Sequence, residues 1–427
     1  MPIRVLLVED SPVALAVLTK ILQRSSEIEI VGAARTGTEA LSLIPQTQPQ
    51  VVCTDLHMPQ MDGLTLTTEI MTRFPLPILV VSVSVQPHAT QKVFELLAAG
   101  AVDVFPKPMA GLSDQNLVDN AALIEKIKIL AGVKVFRRRR SHQSTALASL
   151  QTQSSSAIPI SEASHLDAKR PPSKSPDSKS SDSKSPDSNS PASESLVAES
   201  LANEHSGSDT FSSERPPRTH QITKPRKRTK IIAIGASTGG PQALHNVLSQ
   251  LPRTMPPIIC VQHISKGFLQ GLLQWMQTDC SLKLEIARPG QQLYRGHVYF
   301  SPENHHLRIN SRSRCVVDSD PPIDGHRPSV TAAFSSVAQQ YGEQAIGVLL
   351  TGMGRDGAAG LAAIARTGGW TLAQDEATSV VFGMPKAAID MGAVSQVLPI
   401  ESIAPTLIRT ISKQSEKPLH RQKAPTL

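Results

Sequence analysis

The sequence has few of the features of secreted, disulfide-bonded or membrane-spanning proteins. It contains 4 cysteines in 427 residues (Cys53, Cys260, Cys280 and Cys315), and their spacing gives neither a C-x-x-C pair nor a Cys/His zinc framework. No apolar run is long enough to cross a bilayer, and the N-terminal residues enter a strand pattern directly rather than a signal peptide. We therefore expect reduced thiols, no integral membrane segment and a cytoplasmic protein.

Aromatic residues are also scarce, at 3% of the chain, although the formal net charge is +7 and the isoelectric point is about 9.3. A basic balance is typical of nucleic-acid-binding proteins. Here the basic residues cluster in two short runs, Arg137–Arg140 and Arg226–Arg228, and no helix-turn-helix pattern follows the second run. We interpret both runs as solvated edges of a linker and predict no nucleic-acid partner. A salt-dependent affinity for DNA would revive that alternative.

The chain is long enough for two domains, and its composition and hydrophobic pattern divide it into four parts. Residues 1–130 and 229–412 each alternate short apolar runs with amphipathic helical patterns, which predicts two α/β domains with parallel sheets covered by helices on both faces. The candidate strands are Val5–Val8, Ile28–Ala33, Val51–Thr54, Ile78–Ser82 and Val102–Phe105 in the first domain, and Ile231–Ile234, Ile258–Gln262, Val298–Ser301, Ile346–Thr351 and Thr371–Gln374 in the second.

Residues 131–228 have the composition of a disordered linker, and residues 413–427 that of a polar tail. The linker carries repeats of Ser-Pro-Asp-Ser, at residues 175–178 and again at 185–188, and nothing in it can build a core. A flexible coil of about 90 residues spans roughly 50 Å.

Polar residues lie at the carboxyl ends of four predicted strands in the first domain: Glu9, Asp10, Asp55, Ser82 and Lys107. Those ends converge in a doubly wound sheet, so the three carboxylates can hold one Mg²⁺ through oxygen ligands. Asp55 is then placed to accept a phosphoryl group, and Ser82 and Lys107 to contact its oxygens. Any one of these residues alone is weak evidence, because carboxylates after strands are common and a lone lysine usually faces solvent.

The first domain resembles the response-regulator receiver family, through Val8–Ser11, Asp55–Gly63 and Phe105–Pro108. The resemblance implies a flavodoxin-like fold with five parallel strands, and phosphorylation of Asp55 by a partner histidine kinase. The acidic pair is Glu9-Asp10 rather than two aspartates, a difference that should still allow metal binding.

A serine lies in a glycine-rich turn at the start of the second domain. Residues 235–241 read Gly-Ala-Ser-Thr-Gly-Gly-Pro and place Ser237 after a buried strand, with the spacing of a nucleophile elbow. Such a turn also binds phosphate, or simply makes a tight connection. The dinucleotide pattern G-x-G-x-x-G fails at Ser237, and no Gly-Lys-Ser/Thr follows to make a phosphate-binding P-loop.

Two further strand ends supply partners for a serine. His263 follows one predicted strand and Asp356 follows another, so the chain order is Ser, His, Asp, which excludes the α/β-hydrolase fold. His263 alone is also consistent with a structural strand-end histidine, and Asp356 with the N-cap of a helix beginning near Gly357. Three other histidines are candidates for the same cleft: His305, His306 and His326.

The second domain resembles the CheB family of chemotaxis protein-glutamate methylesterases, through Gly235–Pro241, Val261–His263, His326–Val330 and Thr351–Gly357. The resemblance implies hydrolysis of γ-glutamyl methyl esters on methyl-accepting chemotaxis receptors, with release of methanol and deamidation of receptor glutamines. It implies Ser237, His263 and Asp356 as the catalytic triad, with Thr238 and the backbone of Met353 at the oxyanion, and no cofactor for the esterase.

Two features depart from the family pattern. Thr331 stands where the family has an acidic residue, and the linker is much longer than the short connection through which an unphosphorylated receiver covers the cleft in the family. A long tether lowers the effective concentration of the receiver at the cleft, so we expect weaker inhibition. A phosphorylation-controlled, non-catalytic adaptor remains the alternative function.

Overall fold

The computed structural model describes residues 1–82, 87–108, 114–133, 135, 224–225 and 227–416. Most of the predicted linker, including its repeats and the arginine run 137–140, lies outside the described residues, and so does the tail from residue 417 onward.

The first domain is a parallel five-stranded sheet with the strand order β2-β1-β3-β4-β5. Its strands are β1 (Ile3–Val8), β2 (Ile28–Ala34), β3 (Val51–Thr54), β4 (Ile78–Ser82) and β5 (Asp103–Pro106). Its helices are α1 (Pro12–Leu22), α2 (Gly37–Thr47), α3 (Gly63–Arg73), α4 (Pro87–Ala99) and α5 (Asp114–Ala131). This is the flavodoxin-like order, and all five predicted strands are confirmed within two residues.

Both faces of this sheet are buried, as expected for a doubly wound sheet. Successive strand residues point to opposite faces: Leu6 and Val8 belong to one apolar cluster, and Val5 and Leu7 to another. Helices cover both faces, so the inner strands β3 and β4 are buried along their whole length and show no polar alternation.

The second domain is a parallel seven-stranded sheet, with the order β14-β13-β12-β6-β7-β9-β8, and carries an antiparallel β10-β11 hairpin. Its strands are β6 (Ile231–Ala236), β7 (Ile258–Gln262), β8 (Lys283–Ile286), β9 (His297–Phe300), β10 (His306–Ile309), β11 (Cys315–Asp318), β12 (Ala345–Leu349), β13 (Trp370–Gln374) and β14 (Gln396–Leu398). Its helices are α6 (Gly240–Leu248), α7 (Leu269–Gln277), α8 (Val330–Tyr341), α9 (Ala358–Arg366), α10 (Met384–Asp390) and α11 (Ile400–Glu416).

The five strands predicted for this domain are present, but four strands were not predicted. β8 and β14 are the edge strands, and β10 and β11 form the hairpin outside the main sheet. These strands have three or four residues each, and each includes at least one polar or charged residue, so their sequences lack the apolar run that marks the central strands.

Some residues assigned by sequence to the linker and tail belong to the domains. Val133 is buried against the first domain because its side chain is apolar, and Lys227 pairs with Glu343 at 3.3 Å. Helix α11 continues to Glu416, so residues 413–416 are helical rather than part of a loose tail.

The four cysteines are buried and free, as predicted. Burial raises the pKa of the Cys53, Cys280 and Cys315 thiols to about 12, which keeps them protonated.

Among the described helices, none is both long and apolar enough to cross a membrane.

Candidate functional site

Ser237 lies where central strand β6 ends and helix α6 begins. β6 pairs with β12 on one side and with β7 on the other, and the chain order along the sheet reverses at β6, where doubly wound sheets place ligands. The Ser237 N–H donates to the Thr351 carbonyl at 3.0 Å, and its own carbonyl accepts from Gln262 Nε2 at 2.8 Å. Ser237 is 8% exposed. The turn is therefore fixed from both neighbouring strands.

The turn depends on small residues at close approaches. Gly239 has φ of +75°, and a Cβ there would lie 2.5 Å from Val380. A Cβ on Gly352 would lie 2.7 Å from the Cβ of Ser237. A side chain at either position would displace the serine or the loop beside it.

His263 lies beside the serine turn because β6 and β7 are in register. Ala236 pairs with Gln262, and the His263 N–H donates to the Ala236 carbonyl at 3.0 Å. Ser237 and His263 are the next residues on the two strands, so they lie side by side. The sequence predicted that these two residues would be close, because both follow parallel strands.

Asp356 is fully buried and accepts hydrogen bonds from several segments. His263 Nε2 lies 3.0 Å from Oδ2, and the hydroxyl of Ser329 donates to Oδ1 at 2.8 Å. The backbone N–H groups of Val330, Thr331 and Gly357 donate at 2.7, 3.0 and 2.9 Å. Val330 and Thr331 open helix α8, so the carboxylate lies at the positive end of α8.

This environment keeps Asp356 ionised. Burial alone would raise the pKa of Asp356, but the hydrogen bond and charge of His263, together with the bonds from Thr331, hold that pKa well below its usual range. The cap of the following helix α9 is Gly357, so the N-cap alternative for Asp356 is not what the structure shows.

The hydrogen bond to Asp356 fixes which nitrogen of His263 carries the proton. An ionised carboxylate only accepts, so Nε2 must donate to it. The neutral ring then has its lone pair on Nδ1, which is buried and has no hydrogen-bond partner among the described residues. No hydrogen bond therefore joins Nδ1 to the Ser237 hydroxyl in this structure. Catalytic hydrogen bonds of this kind are often open until substrate binds.

Of the two residues predicted beside Ser237, Thr238 lies in the serine turn itself and Met353 lies on the loop after β12, next to Gly352. Thr238 is buried, and its carbonyl accepts from the Thr351 hydroxyl at 3.0 Å. The Met353 side chain is 43% exposed. In the part of the chain that the structure describes, the backbone N–H groups of Thr238 and Met353 make no hydrogen bond to another backbone group.

Of the other three candidate histidines, His326 contacts His263, whereas His305 and His306 bond to other groups. The ring of His326 stacks on that of His263, whereas His306 is fully buried and accepts from the Ser329 N–H at 3.1 Å. His305 bonds to the Glu303 carbonyl.

Sequence reasoning missed Ser329 as an anchor of Asp356, although a serine before an apolar run is a helix-start signal.

Thr331, the departure from the family pattern, has two contacts at this site. Its N–H donates to Asp356, and its hydroxyl accepts from the Gly357 N–H at 2.7 Å. A helix-start contact is therefore retained with threonine at this position.

The predicted polar groups of the first domain also meet at strand ends. Lys107 Nζ lies 2.7 Å from Asp55 Oδ2 and 2.9 Å from Glu9 Oε1. Ser82 is buried, and its carbonyl accepts from the Lys107 N–H at 3.0 Å. Burial alone would lower the pKa of Lys107, but its bonds to the two carboxylates raise it, so the ammonium stays charged.

The carboxylates here have the composition of a divalent-cation site. Oxygens of Glu9, Asp10 and Asp55 lie within 4.8 Å of one another. Burial, and after it the charge of Asp55, raise the pKa of Glu9 despite its bond to Lys107, and Glu9 Oε2 is a buried oxygen without a partner in the described residues. An uncompensated carboxylate oxygen in an all-oxygen cluster fits Mg²⁺.

A receiver sheet with an acidic cluster, followed by an α/β domain whose strand ends bear Ser, His and Asp, defines a receiver-coupled hydrolase. Family models agree with both halves: that of the response regulator receiver domain matches residues 5–120, and that of the CheB methylesterase matches residues 232–407. The chain belongs to the CheB methylesterase family.

Relatives match along nearly the whole chain. A protein-glutamate methylesterase/protein-glutamine glutaminase of Nitrosospira multiformis is 34% identical over 98% of this chain and 99% of its own length. The protein-glutamate methylesterase/protein-glutamine glutaminase 1 of Syntrophus aciditrophicus is 34% identical over 95% and 98%. The protein-glutamate methylesterase/protein-glutamine glutaminase 4 of Myxococcus xanthus is 35% identical over 95% and 96%. The similarity to these relatives thus extends across both domains of this chain.

Replacing Asp356 by asparagine tests the anchoring described above. Asp356→Asn loses the charge that five donors face, so we expect the free energy of unfolding to fall by about 1–3 kcal/mol at pH 7, measured by chemical denaturation. A group with a depressed folded-state pKa stabilises above its unfolded pKa, about 3.9, and this stabilisation is lost as the pH falls further. The difference between wild type and variant should therefore shrink below about pH 4.

Asp324→Asn is the matched control, because Asp324 is exposed and has a positive φ of 50° that asparagine tolerates. Equal stability of Asp356→Asn and wild type at pH 7 would contradict the anchoring.

Proposed function

We propose that this chain hydrolyses γ-glutamyl methyl esters on methyl-accepting chemotaxis receptors, with release of methanol, in chemotaxis adaptation. The observation that carries the proposal is the alignment of Ser237, His263 and Asp356 on three adjoining strand ends, with Nε2 of the imidazole bonded to a buried carboxylate. Full-length relatives are named for this activity.

In the proposed acylation step, Ser237 Oγ attacks the ester carbonyl carbon while His263 Nδ1 takes its proton. The imidazolium that forms is stabilised by Asp356, which is already ionised and hydrogen-bonded to Nε2. The carbonyl oxygen becomes an oxyanion, and we assign its binding to the N–H groups of Thr238 and Met353. One such donor is worth about 10²–10³-fold in rate, and general base action about 10²–10⁴-fold.

The tetrahedral intermediate collapses when its bond to the methoxy oxygen breaks. The proton on His263 Nδ1 goes to that oxygen, so methanol leaves and a γ-glutamyl ester of Ser237 remains. Water then attacks this ester with the imidazole as base, which releases the glutamate carboxylate and restores the serine. Helix α6, which begins at Gly240 just after the serine turn, points its positive end toward the site and favours the developing negative charge.

The same site would accept a primary amide. Attack of Ser237 on a glutamine side chain gives the same acyl-enzyme, with ammonia rather than methanol as the leaving group. This is the glutaminase activity that the relatives are named for. We propose that the chain carries both activities at one serine.

The serine variant tests the proposed activity directly. Ser237→Ala removes the nucleophile, so methanol release from methylated receptors should fall by at least about 10³-fold. Ser311→Ala removes an exposed hydroxyl in the β10-β11 turn and serves as the control with unchanged release. Full release by Ser237→Ala would leave the non-catalytic adaptor as the better account.

We propose that Asp55 accepts a phosphoryl group from a chemotaxis histidine kinase. Lys107 is already bonded to Asp55 and would neutralise the oxygens of the added group, and Ser82, at the end of neighbouring strand β4, would contact them through its hydroxyl. Glu9, Asp10 and Asp55 would hold the Mg²⁺, which supplies positive charge for the transferring phosphoryl group.

Metal binding can be measured apart from activity. Glu9→Gln removes one ligand charge, so Mg²⁺ affinity of the full chain, measured by titration calorimetry, should fall about 10-fold or more. Glu29→Gln, on the exposed side of β2, is the matched control. The same Mg²⁺ affinity in Glu9→Gln and wild type would exclude Glu9 as a ligand.

The contact between the two domains explains how a receiver can act on the esterase. Phe94 of α4 stacks on Trp275 of α7 with ring centroids 5.8 Å apart, and Gln242 Nε2 in the first turn of α6 donates to the Ala101 carbonyl at 2.6 Å. Val380, which packs against Gly239, also packs against the core of the first domain. Helix α6 and the Val380 loop adjoin the Ser237 turn, so we propose that the unphosphorylated receiver restricts the cleft.

Loosening this contact should raise the activity of the unphosphorylated protein. The aromatic pair is worth about 0.5–1.5 kcal/mol, so Phe94→Ala should raise basal methanol release by about 2- to 10-fold. Phosphorylation of Asp55 in the variant is the control that the receiver remains folded. Unchanged basal release in a phosphorylatable Phe94→Ala protein would contradict restriction through this contact.

Deleting the receiver tests how strong the restriction is. Because the linker predicted from the sequence is about 90 residues long, tethering is weak and we expect only a modest gain in esterase rate on deletion. A very large gain without phosphodonor would contradict the proposed weak inhibition.

A further inference from the structure

The imidazole of His263 is held on one face by a second imidazole. The rings of His263 and His326 are parallel within 8°, and their centroids are 4.1 Å apart. We propose that His326 is a positioning residue, which fixes the plane of the His263 ring and so the direction in which Nδ1 presents its lone pair. This inference rests on the proposed esterase function and adds to it a residue that acts through His263 rather than on the substrate.

The stack restrains a motion that the hydrogen bond to Asp356 leaves open. That bond fixes the position of one ring atom, Nε2, at 3.0 Å from the carboxylate. The ring can still tilt about this point, because Nδ1 at its other side has no partner in the described residues. A parallel ring against the face of His263 opposes the tilt. The two contacts together determine both the position and the plane of the imidazole.

The short loop 323–329 carries His326, which stacks on His263, and Ser329, which anchors Asp356. His326 exchanges two backbone hydrogen bonds with Ile323, at 2.9 and 3.1 Å, which fix the base of its side chain. The chain then reaches Ser329, whose hydroxyl anchors Asp356, and enters helix α8. Movement of this loop would therefore disturb the stack and the carboxylate together, which is why the stack needs a test that separates them.

Burial, more than the charges around it, keeps the ring of His326 neutral. Burial, and next the neighbouring His263, lower the pKa of His326 to about 4, with Lys126 acting in the same direction and Asp356 and Asp324 opposing it. A neutral ring presents its π-face to His263 when that imidazole becomes a cation during the reaction, which is a favourable arrangement. A second cation at 4.1 Å would be unfavourable.

Three substitutions separate the stack from the bulk and the nitrogens of His326. His326→Phe keeps a flat ring and removes the nitrogens, His326→Leu keeps apolar bulk without a flat ring, and His326→Ala removes both. A small misplacement of a catalytic group costs up to about 10²-fold in rate. With phosphorylated full-length protein and methylated receptors, we expect kcat to fall about 10- to 100-fold in the Ala and Leu variants and to stay within about threefold in the Phe variant. KM should change little in all three, because the proposal assigns His326 a contact with His263 and none with substrate.

The outcomes are distinguishable from a folding defect and from failure of the proposed function. Thermal unfolding identifies any variant that does not fold, and the Leu variant replaces Ala if Ala fails. Full kcat in a folded Ala or Leu variant would overturn the inference, and so would a Phe variant as slow as Ala, since the nitrogens would then be what matters. Ser237→Ala runs in the same assay: if it is active, the esterase proposal fails, whereas an inactive Ser237→Ala with a fully active His326→Ala refutes only the role of the stack.

Discussion

The buried carboxylate of Asp356 is the interaction on which the site depends. Five donors from the end of β7, the start of α8 and the start of α9 converge on it, within 2.7–3.0 Å. A carboxylate without exposure is costly unless it is bonded in this way, so its charge holds these segments in one arrangement. The arrangement places His263 beside the serine turn with one nitrogen bonded and the other open. The chemistry proposed for Ser237 follows from that asymmetry.

Both domains use the same geometric rule for different chemistry. Parallel strands end on one edge, so residues far apart in sequence meet without a long loop. In the first domain, Lys107 joins Asp55 and Glu9, and in the second, His263 joins Asp356. The receiver edge collects carboxylates for a cation, whereas the esterase edge collects a hydroxyl, an imidazole and one carboxylate. The Phe94–Trp275 stack connects the two domains.

Sequence reasoning predicted the central strands and the residues at their ends, because buried parallel strands are apolar runs and the polar residue after each run must lie at the common edge. Ser237, His263 and Asp55 were predicted in this way to lie at that edge, and the structure places them there. The edge strands β8 and β14 were not, since half-exposed strands of three or four residues have no periodic signal. The sequence did not predict the bond from Ser329 to Asp356, the stack of His326 on His263 or the bonding of Asp356 to Nε2 rather than Nδ1. These contacts depend on the directions in which side chains from distant segments point, and local sequence patterns do not determine those directions.

The central claim is that Nδ1 of His263 is the atom that accepts the serine proton, because Asp356 already binds the N–H on Nε2. Nitrogen-15 NMR of the histidine-labelled full chain at neutral pH, with the His263 signals assigned by their loss in His263→Gln, measures this directly. The account predicts that the neutral form of the ring carries its proton on Nε2 and has a free Nδ1. A resting His263 with its proton on Nδ1 would contradict it.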